Sequence, residues 1–294
     1  MFGTLGTTLC FALTPVLANR AAARLGSLPA NFWRLLVALL VLGLWTFWAG
    51  RRPGPDAAAW FLIGGVAGFG VGGVAMFQSL PRLGSNLSTL IVQCVTVPVA
   101  AVTEYFWLGT ALTPLQMLGA ALTVTGIVVG LLPRSLTRVS PAQFSAGVSW
   151  ALLSAVGQGA GAVFSRKAFA VALAAHQPVD PGTAACYRVV GGLVVAGLVL
   201  LWPRPASGAN PIPAGRAWPW VVGNALTGPV LGVTCYQWAL RTTAAGLVQP
   251  IVATAPLLTI PLAVWIEHAP RPRASYYAGT LLAIIGATTI ALAR

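Results

Sequence analysis

Phe32-Trp33-Arg34-Leu35-Leu36-Val37-Ala38-Leu39-Leu40-Val41-Leu42 enters an apolar run through an aromatic-arginine pair, and Cys186-Tyr187-Arg188-Val189-Val190 enters another the same way. Outward from these two stretches, a shift of 160 residues places Trp60 on Trp220, Gly68 on Gly228, Gly72 on Gly232, Gly119 on Gly279 and Gly126 on Gly286. The second half of the chain therefore repeats the first, and both copies are built from apolar segments.

Composition fixes the solvent. Hydrophobic residues make up 57% of the chain and charged residues 7%, against about 25% charged in a soluble domain. No water-facing surface of ordinary size can be made from this material, so the chain belongs in lipid. The net charge of +13 comes from 17 basic residues scattered singly between apolar runs. Nucleic acid as a partner needs a clustered basic face and is excluded on that ground. The basic residues instead mark helix ends and meet membrane lipid headgroups.

Segments of roughly 20 apolar residues, the length that crosses a bilayer, occur near residues 3–19, 30–49, 58–80, 86–108, 114–133, 145–166, 184–202, 217–240, 245–266 and 274–293. Arg51-Arg52-Pro53-Gly54-Pro55-Asp56, Pro133-Arg134-Ser135 and the stretch from Pro203 to Pro213 punctuate them, since proline cannot continue a helix. Ser140-Pro141 reads as an N-cap followed by proline at the first helical position, which divides the chain into repeats at 1–139 and 140–294. No charge precedes the first segment, so residues 3–19 read as a retained span and not a signal peptide. The expected fold is an all-α integral membrane protein of ten transmembrane helices in two five-helix repeats. Five is odd, so the second repeat must be inverted relative to the first. Basic residues slightly favour the side opposite an inside N terminus, which leaves the orientation of the termini open.

The ends of the repeats carry a family likeness. Leu108-Gly109-Thr110-Ala111-Leu112-Thr113-Pro114-Leu115-Gln116-Met117-Leu118-Gly119, followed by Gly126, resembles the closing signature of an EamA repeat in the drug/metabolite transporter (DMT) superfamily. Leu83-Gly84-Ser85-Asn86-Leu87-Ser88 through Pro98 resembles that family's small-residue run leading into a proline. In the second copy Ala244-Ala245-Gly246 through Pro256, then Ile266-Glu267, Gly279 and Gly286, are similar to the same pattern. One departure stands out: Thr110 stands in the first copy where the family has an acid after Leu-Gly, while Glu267 keeps the acid in the second without the glycine. The resemblance implies a ten-helix permease of the cell membrane that moves small organic metabolites, often amino acids or related compounds and often outward.

Inverted duplication with interrupted helices is the usual construction of an alternating-access transporter, with the substrate held at the repeat interface. Gly64, Gly68 and Gly72, and Gly228 and Gly232, give two spans smooth faces for close helix packing. Pro98 in the fourth span, and Pro250, Pro256 and Pro261 in the ninth, predict helix breaks lining a cavity, with proline kinks that serve packing alone as the other reading. Polar side chains at membrane depth must face the bundle interior; these are Gln78, Asn86, Ser88, Gln93, Gln158, Asn224, Tyr236, Gln237, Gln249 and Thr254. Each alone reads as an interhelical hydrogen bond. As a set they predict a polar cavity, with Gln78, Asn86, Gln93, Tyr236, Gln237 and Gln249 as substrate contacts.

Glu104 is the acid within a span, and carries a coupling proton, pairs with a cationic substrate, or pairs with an Arg near the interface. Arg34 and Arg188 sit at equivalent points just inside spans two and seven. Snorkelling to the headgroups is the plainer account of them, while their symmetry fits an anionic group met from both halves. Asp56 and Asp180 fall in connections.

The catalytic inventory is thin. His176 and His268 lie far apart, and Cys10, Cys94, Cys186 and Cys235 stand singly, so neither a metal site nor a nucleophile with its base can be assembled. There is no P-loop. The expectation is no enzyme activity, no cofactor and no metal, with transport driven by a solute or proton gradient and not by ATP. A membrane enzyme acting on a lipid-like substrate and a non-transporting scaffold are the alternatives.

Overall fold

Lipid offers no hydrogen-bond partners, so an apolar chain of this kind satisfies its backbone by becoming helical. The computed structural model describes residues 2–131, 140–201, 217–267 and 273–293, leaving the side chains of residues 85, 86, 131, 263–267 and 291 aside, and those residues form helices joined by short turns, with no strand among them. The connections at Pro133–Ser135 and Pro203–Pro213, and His268, lie outside the described residues, as do the side chains of Asn86 and Glu267.

The helices are α1 (Phe2–Leu25), α2 (Ser27–Trp48), α3 (Pro55–Gly84), α4 (Leu87–Leu108), α5 (Pro114–Leu131), α6 (Pro141–Ala174), α7 (Pro181–Leu201), α8 (218–242), α9 (245–267) and α10 (Ala274–Leu292). Seven helical stretches are long and apolar enough to cross a membrane, and the shorter apolar helices Pro114–Gly130 and Ala274–Ile290 join them. With α8 this makes ten spans among the described residues. Leu40, Leu44, Phe47, Trp48, Val102, Phe106, Leu198 and Ile284 are exposed on the outside, an apolar girdle that suits lipid and would be a liability in water.

Local chemistry sets the boundaries. Gly84 at φ 77° separates α3 from α4, and Gly109 at φ 66° ends α4, its N–H donating to the Tyr105 carbonyl at 3.1 Å. Both are left-handed positions that a side chain would strain, which gives two glycines of the family-like motifs a physical reason. The second copy turns at the same place as Gly84 with an extended Thr243 (φ −128°, ψ 139°). Ser140 Oγ accepts the Gln143 N–H at 3.3 Å with Pro141 in the first turn, so α6 starts with a side-chain cap.

The repeats interlock. α1 packs chiefly on α8 and α9 of the second half, and α6 packs chiefly on α3 and α4 of the first. α5 and α10 run side by side in opposite directions: a Cβ on Gly119 would meet the Gly286 carbonyl at 2.9 Å, and one on Gly126 would meet that of Gly279 at 2.6 Å. Each glycine thus faces the counterpart of the other, the contact pattern that a twofold axis produces. The inverted arrangement follows from it. The smooth face of α3 meets α6 in the same manner, with Gly64 against Gly161, Gly72 against Gly157, and Ser154 Oγ donating to the Gly72 carbonyl at 2.8 Å.

One feature was absent from the periodicity. Val66–Val71 in α3 and Leu226–Gly232 in α8 are π-helical, and the shift of 160 residues superposes them. A π turn widens the helix locally and recurs at functional sites.

Candidate functional site

A cavity of about 160 Å³ lies where the two halves meet. Its wall takes Phe11, Thr14 and Pro15 from α1, Arg34 from α2, Gly68, Phe69 and Phe77 from α3, and Thr89 and Gln93 from α4. Gln158 from α6, Arg188 from α7, Gly228 and Tyr236 from α8, and Gln249 and Pro256 from α9 complete it. The two π segments place Gly68, Phe69 and Gly228 on this wall, so the widened turns are part of the site.

Of the residues the sequence singles out, Gln93, Tyr236, Gln249, Arg34, Arg188 and Pro256 converge on the cavity. Gln158, Gly68 and Gly228 join them, whereas Gln78, Gln237, Glu104 and Pro98 are not on this wall. Gln78 accepts from Arg82 Nη1 through its Oε1 at 3.0 Å. Gln237 is fully buried behind Tyr236, and its Nε2 donates to Ser165 Oγ at 3.4 Å. Pro98 stays inside a helix that continues through it and lines a separate apolar pocket between α4 and α5, next to Cys94, Val102 and Phe106. Residues missed by sequence reasoning are Phe11, Thr14, Phe69 and Thr89; Phe69 directly follows a repeat-related glycine, which was an available signal.

The ninth helix does break. Helix Ala245–Val252 gives way to Ala255–Glu267 through a turn at Ala253 and Thr254. The Ile251 carbonyl accepts the Thr254 N–H at 3.2 Å, Thr254 Oγ1 at 2.7 Å and Thr8 Oγ1 at 3.4 Å. Neighbouring hydroxyls take up what the break frees.

Glu104 is a structural tie. Its carboxylate is buried and accepts Arg166 Nε at 3.1 Å and the backbone N–H of Gly246 at 2.9 Å, while Arg166 Nη1 donates to the Leu240 carbonyl at 3.1 Å. α4, α6 and the α8–α9 turn are joined by this one group, away from the cavity.

The arginines do not snorkel. Arg34 is 8% exposed and Arg188 is 4% exposed. Each is the eighth residue of its helix, about 10 Å from the helix start at 1.5 Å per residue. α2 and α7 are antiparallel neighbours, with Gly182 against Trp45 and Gly197 against Phe32, so the two arginines sit on opposite sides of the membrane midplane. Each lies against the π-segment glycine of the other repeat: a Cβ on Gly68 would fall 2.7 Å from Arg188 Nη2, and one on Gly228 3.7 Å from Arg34 Nη1. Phe69 supports the Arg188 guanidinium at 5.6 Å and Phe77 that of Arg34 at 5.0 Å. Arg34 Nε donates to Asn31 Oδ1 at 3.0 Å. Among the described residues, Arg188 Nε and Nη1 and the Tyr236 hydroxyl are buried with no hydrogen-bond partner, and no acid stands on the cavity wall.

No cluster of His, Cys, Asp or Glu that could hold a metal occurs among the described residues. Residues 1–132 and 145–292 match the EamA-like transporter family. A solved structure titled only "Crystal structure of protein" shares 19% sequence identity, with a TM-score of 0.75 over 99% of this chain and 95% of that one, a likeness of fold alone. No curated protein matches the chain. A family match over both halves, on a bundle of apolar helices around a central cavity, makes the chain a member of the EamA-like transporter family, a multi-pass integral membrane transporter of the drug/metabolite transporter superfamily.

Proposed function

We propose that the protein moves a small polar organic metabolite, an amino acid or related compound, outward across the cell membrane by alternating access through the central cavity. The observation that carries this reading is the wall itself, which draws polar side chains from both repeats, Thr14, Thr89 and Gln93 from the first and Gln158, Tyr236 and Gln249 from the second. A site at the interface of two inverted repeats can open to either side as they rock. The wall carries no acid, histidine or cysteine among the described residues, which suits binding and release better than bond chemistry. Without a P-loop in the sequence, a gradient of the solute itself or of protons supplies the work. The two halves of the chain, 1–139 and 140–294, are the functional repeats of this reading.

Reconstituted flux tests it. Gln93→Ala and Gln249→Ala should each lower solute flux about tenfold while membrane insertion and helix content stay normal, a loss of roughly 1.4 kcal/mol of binding. Unchanged flux in both variants sinks the cavity as the transport site.

A further inference from the structure

Two guanidiniums held in one cavity at membrane depth raise a question of charge. Arginine does not deprotonate in proteins, and a buried cation without a partner is unfavourable because its hydration is gone. The usual remedy, a carboxylate on a facing helix, is missing from the wall. The chain has four acidic residues. Glu104 is taken by Arg166 and Gly246, Asp180 by Trp45, Arg51 and Thr183, Asp56 stands in the first turn of α3, and Glu267 closes α9, eleven positions beyond Pro256 of the wall. What faces the arginines instead is aromatic rings, amides and the Tyr236 hydroxyl.

Resting on the transporter reading above, we infer that the substrate is a small organic anion whose oxyanion group, carboxylate or phosphate, is held by Arg34 and Arg188. Arg188 keeps Nε and Nη1 without a hydrogen-bond partner among the described residues, so its guanidinium has donors left for the oxygens of an anionic group. Tyr236, also unpartnered and on the same wall, adds a third donor. Phe11, Phe69, Phe77 and Met76 give an apolar bed for a carbon body, and the amides of Gln93, Gln158 and Gln249 meet its other polar groups. The two arginines come from equivalent positions of inverted repeats on opposite sides of the midplane, so an anion entering from either face meets a guanidinium at the same depth. An amine that carries no anionic group finds no countercharge on this wall among the described residues and is rejected by the arginines, which separates this site from one for cationic drugs.

The test uses the full-length protein in detergent and in proteoliposomes. Melting temperature is followed against benzoate, succinate and glycerol 3-phosphate, with benzamide, alanine and benzylamine as neutral, zwitterionic and cationic controls. The expected result is a saturable rise of several degrees with at least one anion, no rise with benzylamine, and loss of the rise in Arg188→Gln and Arg34→Gln. Benzoate or succinate alone assigns a carboxylate, and glycerol 3-phosphate alone assigns a phosphate. Because each substitution removes an uncompensated buried charge, the unliganded variants should melt no lower than wild type, which keeps loss of binding distinct from loss of fold. If a variant does melt lower, wild-type flux at matched anion and amine concentrations decides. Anion uptake at least tenfold above amine uptake upholds the inference. Flux of neutral or cationic solutes with no response to any anion overturns it and leaves the transporter intact. Anion stabilisation without flux of any solute upholds the site and overturns transport.

Discussion

Asp180 accepts the indole N–H of Trp45 at 2.9 Å, fastening the start of α7 to the end of α2. The same carboxylate accepts Thr183 Oγ1 at 2.6 Å, the Thr183 N–H at 2.9 Å and the Arg51 N–H at 2.7 Å. Burial alone would raise the Asp180 pKa, but these bonds outweigh it and hold the carboxyl below the usual aspartate range. A lowered folded pKa stabilises above the unfolded value of about 3.9 and is lost as pH falls through the folded one. Melting temperature should therefore drop more steeply below pH about 4 in wild type than in Asp180→Asn, and the difference between the two isolates this clamp. Parallel curves would show that the bonds add nothing.

Removing the buried tie at Glu104 should be costly. Glu104→Ala strands Arg166 and the Gly246 N–H together, at about 3 kcal/mol on the scale of a broken buried pair. The double variant Glu104→Ala with Arg166→Ala should recover part of that loss, as coupled partners do. Chemical denaturation of the detergent-solubilised protein reads both.

The α5–α10 crossing leaves no room for a methyl group. Gly126→Ala drives its Cβ into the backbone of Gly279 and Ala283, and a loss of about 1–3 kcal/mol is expected from overpacking. Adding Gly279→Ala should cost less than a second full increment, because the helices have already moved apart. Thermal melts of the single and double variants decide.

Gly68→Ala acts on the cavity. Its Cβ would press on Arg188 Nη2 at 2.7 Å, the far end of a flexible side chain that can yield. The expected outcome is a several-fold higher KM for transport with a near-normal melting temperature. Gly228→Ala, whose nearest atom is the Thr14 methyl at 3.3 Å, should be milder.

Much of the fold is legible in the chain because lipid allows so few solutions. Ten apolar runs become ten helices, and glycines at matched spacing become crossings. The π turns at Val66–Val71 and Leu226–Gly232 leave no mark on apolar periodicity and could not be read. Gln78 reads as a cavity residue because it is polar at membrane depth, yet Arg82 one turn on already supplies its partner, an i, i+4 relation visible in the sequence. Arg34 and Arg188 were harder. The eighth residue of a span is near enough to the interface to snorkel, and only the packing of α2 against α7 shows both side chains turned inward.

α1 belongs by contact to the second half, and α6 to the first. A boundary drawn through the chain at residue 140 is therefore not a boundary in space. On the alternating-access proposal, the pieces that rock are composites by contact, α6 with α3 and α4, and α1 with α8 and α9. Cutting the chain at that boundary would not release two free-standing bundles. Each fragment would lack the helix that fills its own centre until the other arrived, so function should return only when both are made in the same membrane.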